Sequence, residues 1–88
     1  MCRNIRPLQN LAPPATPGEV HDAALQYVRK IAGTTSPSRA NAEVFDRAVA
    51  EVEAATTRLL EGLVTSAPPR DRAVEAEKAR QRSLARFG

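Results

Sequence analysis

Tryptophan is absent, and cysteine, methionine, histidine and tyrosine each occur once. A lone cysteine cannot close a disulfide within the chain, so covalent staples are excluded and a reducing compartment is expected. Cys2 and His21 together fall short of the roughly four Cys or His ligands of a structural zinc site, so such a site is rejected, and no metal site and no cofactor is assigned. No apolar run is long enough to cross a bilayer, which excludes membrane insertion. No apolar stretch follows the basic start, so no secretory signal is visible. Glycine-rich phosphate loops, GxSxG and HExxH are also missing. These absences point to a soluble cytoplasmic protein, and no catalytic residue is assigned.

What is present is alanine, charge and helical periodicity. Alanine-rich segments poor in β-branched residues favour helix, and at 88 residues the chain is expected to form one small domain. A domain of this size hides only ~60–65 % of the surface its unfolded chain exposes, and is marginal unless it associates. The net charge of +3 is unevenly spread. Residues 1–16 carry +2, residues 17–33 are neutral, residues 34–67 carry −2 and residues 68–88 carry +3. Basic ends and an acidic middle fit complementary contacts inside one fold or between two copies.

The expected fold is all-α. Pro7, Pro13 and Pro14 keep residues 1–15 out of helix and make them an extended arm. Ile5, Leu8 and Leu11 recur along it and suggest that it lies on the helices. Helix one is expected over residues 16–32. Thr16 and Glu19 form a capping-box pattern, and Pro17 suits the first helical position. Val20, Ala23, Ala24, Tyr27, Val28 and Ile31 make its apolar stripe, and Gly33 supplies a left-handed stop.

Helix two is expected over residues 38–63, capped by Ser38 or Asn41. Phe45, Val49, Val52, Thr56, Leu59 and Leu63 alternate four and three apart, a heptad-type seam that wants a partner along its whole length. Helix one is too short to supply it, so the rest of the stripe needs another cover. Pro68 and Pro69 mark a second linker. Helix three is expected over residues 69–85, with an N-terminal cap near Arg70, Asp71 and Arg72. Its apolar content is poor, and pairs such as Glu75 with Lys78 and Glu77 with Arg80 support it from the surface. Such a helix packs on few anchors or reaches a partner.

Three functional readings follow. The leading one is a small non-catalytic interaction or oligomerisation module, a homo-oligomer joined through helix two or helix three. The second is a nucleic-acid or anion-binding module using the basic ends. Arg70, Arg72, Lys78, Arg80, Arg82 and Arg86 can reach phosphates, although stacking of single strands also wants exposed aromatics. Arg3 and Arg6 on the arm are expected to join Arg29 or Arg70 around an anion. The third is a thiol redox or metal-binding function at Cys2, whose neighbours Arg3 and Arg6 favour the thiolate. The small second residue also permits removal of Met1. Against this stands Cys2 as a small buried hydrophobe, with His21 as a solvated surface residue and Asp46, Glu51, Glu53 and Glu61 as a solvated helix face.

Several blocks are distinctive: Cys2-Arg3-Asn4-Ile5-Arg6, Pro13-Pro14-Ala15-Thr16, Gln26-Tyr27-Val28-Arg29-Lys30, Pro37-Ser38 with Asn41, Leu59-Leu60, Ala67-Pro68-Pro69-Arg70 and the closing Arg86-Phe87. Together they resemble the small bacterial proteins grouped as domain of unknown function 2277. The resemblance spans nearly the whole chain. It implies a bacterial protein forming one compact unit, and it transfers no activity, cofactor or site residue.

Overall fold

The computed structural model describes residues 4–87, with side chains described through residue 85. Three helices carry the fold: α1 (Pro17–Ala32), α2 (Ala42–Gly62) and α3 (Arg72–Phe87). A short 3₁₀ turn, Arg39–Asn41, leads into α2. The architecture is all-α apart from one two-stranded parallel sheet, β1 (Leu11–Ala12) beside β2 (Arg70–Asp71).

Local sequence sets the ends of α1. Thr16 is extended at φ −89°, ψ 158°, and its hydroxyl accepts the Glu19 amide at 3.1 Å. Glu19 Oε1 accepts the Thr16 amide in return at 2.8 Å, which completes the capping box. At the other end Gly33 adopts φ 74°, ψ 21°, and its amide closes on the Arg29 carbonyl at 2.9 Å. A residue with a Cβ pays to enter this left-handed region.

The start of α2 differs from the expected cap. Neither Ser38 nor Asn41 makes a side-chain capping bond. Asn41 already has near-helical backbone angles (φ −108°, ψ 0°), whereas a capping side chain reaches the first amides from an extended residue. Its Nδ2 donates to Ser38 Oγ at 3.2 Å instead. Asp71 does cap α3: its Oδ1 accepts the amides of Ala73 and Val74 at 2.8 and 3.1 Å.

The core lies between α1 and the first half of α2. Val20, Ala24 and Val28 from α1 and Phe45 and Val49 from α2 are buried, with Leu8 of the arm. Leu25, Ala48 and Val52 pack around this centre half-buried. Beyond Val52 the seam of α2 emerges from cover. Leu59 is 57 % exposed, Leu63 is 47 % exposed, and Val64 just past the helix is 95 % exposed. His21, exposed at the surface, has its Nδ1 2.7 Å from Glu53 Oε1, a contact that ties α1 to α2 at the rim.

The arm and the second linker close on each other through β1 and β2. Asn10, at φ 62°, is the non-glycine residue with positive φ among the described residues, a conformation that asparagine tolerates better than most. Its Nδ2 donates to the Pro68 carbonyl at 3.0 Å, and its carbonyl accepts the Arg70 amide at 2.7 Å. From this anchor α3 runs outward, and every residue from Ala76 to Ala85 is exposed. Along it Arg80 Nε donates to Glu77 Oε2 at 2.9 Å, which holds the Glu77 carboxyl below its ordinary range and the Arg80 guanidinium above its own. The chain spans 44 × 37 × 15 Å, a thin slab with a radius of gyration of 15.5 Å, against about 12 Å for a compact chain of this length.

Candidate functional site

Glu19 organises the junction of the arm, α1 and α3. It sits in the first turn of α1, where the positive end of the helix dipole favours a carboxylate. Arg72, at the start of α3, grips it with a bidentate fork: Nη2 to Oε1 at 2.7 Å and Nη1 to Oε2 at 2.8 Å. Arg6 of the arm adds Nη2 to Oε2 at 2.9 Å. With the Thr16 amide, the carboxylate accepts four hydrogen bonds, which fills its lone-pair sites. Its side chain is only 18 % exposed. The Arg72 hydrogen bonds, followed by the Thr16 amide, lower its pKa from 4.5 to about 2. The same fork raises that of Arg72. Arg72 gives two further donors to the arm, with Nε to the Pro13 carbonyl at 2.7 Å and Nη2 to the Pro14 carbonyl at 2.9 Å.

Beside this hub lies a cavity of about 210 Å³ between the arm, β2 and one face of α3. Arg6, Arg70, Arg72 and Arg82 line it with Glu75, and Leu11, Ala76 and Ala79 supply apolar wall. Arg72, Glu75, Ala79 and Arg82 recur at helical spacing and so share a side of α3. Arg70 donates one guanidinium nitrogen to the Gln9 carbonyl. Arg82 has no hydrogen-bond or ion-pair partner among the described residues. Glu75 faces Lys78 at 4.0 Å.

Of the partners that the sequence allowed for Arg6, Arg70 is the one that shares this cavity. Arg29 lies at the far end of α1, where its Nε donates to the Thr35 carbonyl at 3.0 Å. It lines a separate surface cavity of about 860 Å³ with Gln26, Lys30 and Thr34. Cys2 and Arg3 lie outside the described residues, as does Met1. Arg72 and Arg82 were legible as phosphate-capable cations but not as partners of Arg6. The available signal was the spacing of Arg72, Ala79 and Arg82 along one helix face. The part played by Glu19 beyond its capping box needed the tertiary structure. Among the described residues no cluster of three or more His, Cys, Asp or Glu is placed to hold a metal ion. No helix there is long and apolar enough to cross a membrane.

Neither the curated proteins nor the solved structures contain a match to this chain. The family described as uncharacterized conserved protein DUF2277 matches residues 1–78. That match takes in the arm, α1, α2, the sheet and the Glu19–Arg72 hub, and the chain belongs to this family.

Proposed function

We propose that the protein is a non-catalytic association module of the bacterial cytoplasm that works as a homodimer. In that dimer α3 of each copy lies on the uncovered end of α2 of the other. The observation that carries this reading is the unfinished surface. The accessible area is 6765 Å², whereas a folded monomer of 9.5 kDa is expected to expose about 5,000 Å². The excess of ~1,700 Å² compares with roughly 800 Å² per partner in a standard interface, so two reciprocal helix contacts absorb it.

Charge supports the choice of partner. Five carboxylates against two arginines give α2 a net −3, and five cations against two carboxylates give α3 a net +3. Apolar anchors stand on both surfaces: Leu59 on α2 with Leu63 at its C-cap, and Val74 and Leu84 on α3. A solvent-exposed helix of sixteen residues is marginal by itself, and a second copy supplies the packing that α3 lacks. A reciprocal exchange of this kind is two-fold and closes at two copies.

Single substitutions test it. Leu63→Glu and Leu84→Glu should each weaken dimerisation at least ~10-fold, because each buries a charge among apolar groups. Ile31→Glu, on the exposed end of α1, should leave it unchanged. Equal effects from all three, or none, would remove the α3-on-α2 contact from consideration.

A further inference from the structure

The cavity walled by Arg6, Arg70, Arg72 and Arg82 is a basic site whose charge the protein does not balance. We propose that it binds a small phosphorylated molecule through its phosphate group. Four arginines line it, while Glu75 lines the wall and Glu19 neutralises a single charge of the Arg6–Arg72 pair. A net of +2 remains, and Glu75 is itself shared with Lys78. A phosphate monoester carries close to −2 at neutral pH, and the planar fork of arginine matches its oxygens. The donors are available. Arg82 has no partner among the described residues, and Arg70 uses one nitrogen on Gln9. Arg72 commits four of its five N–H donors to Glu19, Pro13 and Pro14, so its part is to fix the wall.

The geometry also selects size. About 210 Å³ leaves room for a phosphate and a short apolar substituent against Leu11, Ala76 and Ala79. Among the described residues no aromatic side chain lines the cavity, and single-stranded nucleic acids draw affinity from stacking on aromatics. A small phosphorylated compound therefore fits better than a polynucleotide.

An amide-resolved NMR titration of the full chain with inorganic phosphate and then pyrophosphate tests this. Saturable shifts at the β2–α3 junction with a Kd at or below about 1 mM are expected. Arg82→Gln should weaken binding ~10-fold, since it removes a charged hydrogen-bond donor. Arg82→Lys, which keeps charge but loses the fork, should fall between. Arg39→Gln, on the 3₁₀ turn, should bind as the native chain does, and circular dichroism should show each variant folded. Shifts that never saturate, or equal weakening by Arg39→Gln, would overturn the proposal by reducing the site to general surface charge. A short single-stranded oligonucleotide that binds with a steep salt slope and is not displaced by pyrophosphate would overturn it in favour of nucleic acid.

Discussion

Replacing Glu19 by glutamine keeps the shape of the side chain and removes its charge. The native carboxylate receives Arg72 twice, Arg6 once and the Thr16 amide once. Glutamine offers one carbonyl oxygen and turns an NH₂ toward a guanidinium, so two arginines lose their counter-charge in a site only 18 % exposed. The lowering of the carboxyl pKa from 4.5 to about 2 sets the scale. At ~1.4 kcal/mol per pH unit the full linkage is about 3 kcal/mol. Solvent screening at a partly exposed site reduces it to roughly 1–2 kcal/mol. For a domain of this size, that lowers Tm by roughly 5–15 °C.

The pH dependence carries its own sign. A carboxyl more acidic in the folded than in the unfolded chain contributes stability that is complete above about 4.5. That contribution is lost as pH falls toward about 2. Native and Glu19→Gln proteins should therefore differ most near neutrality and converge between pH 4.5 and 2. Urea melts followed by far-UV circular dichroism measure the gap at each pH. Hydrogen exchange should show α3 amides opening first in the variant, because Arg72 is its tether. A variant within about 0.5 kcal/mol of native at pH 7 would refute the reasoning, as would a gap that does not change with pH.

Two further predictions rest on backbone and core. Gly33→Ala should destabilise by about 1 kcal/mol, because φ is 74° there while nothing lies within 4 Å of an added Cβ, so the cost is all backbone. Gly62→Ala, within the last turn of α2 and also facing open space, should stabilise by ~0.5 kcal/mol, and paired thermal melts check both signs. Phe45→Ala removes the largest buried side chain shared by α1 and α2 and should cost about 3 kcal/mol, enough to broaden or abolish a cooperative melt in so small a core.

The parts of the fold legible in the sequence are those encoded locally. Thr16, Pro17 and Glu19 specify a helix start within four residues, and Gly33 specifies its end. Of the apolar stripe of helix one, Val20, Ala24 and Val28 are buried as their spacing indicates, whereas Tyr27 and Ile31 are 48 % and 72 % exposed. The heptad pattern of α2 also showed that helix one could not cover it, and Leu59 and Leu63 are indeed exposed. The sheet was not legible. Strands of two residues have no periodicity to read, and Leu11 pairs with Arg70 from the other end of the chain. Asn41 does stand at the N-cap position of α2 but makes no side-chain cap bond, because the 3₁₀ turn before it holds it near helical angles. At the candidate site, Arg6 and Arg70 stood out by charge beside prolines. Glu19 read as a cap alone, because nothing local reveals that Arg72 returns across the chain to meet it.

Sedimentation equilibrium of the native chain at low salt, from micromolar to about 1 mM protein, tests the central claim most directly. Association through charged, partly apolar helix faces predicts a reversible shift from monomer to dimer mass, and weaker association at high salt. A single monomer mass across the whole range would contradict it.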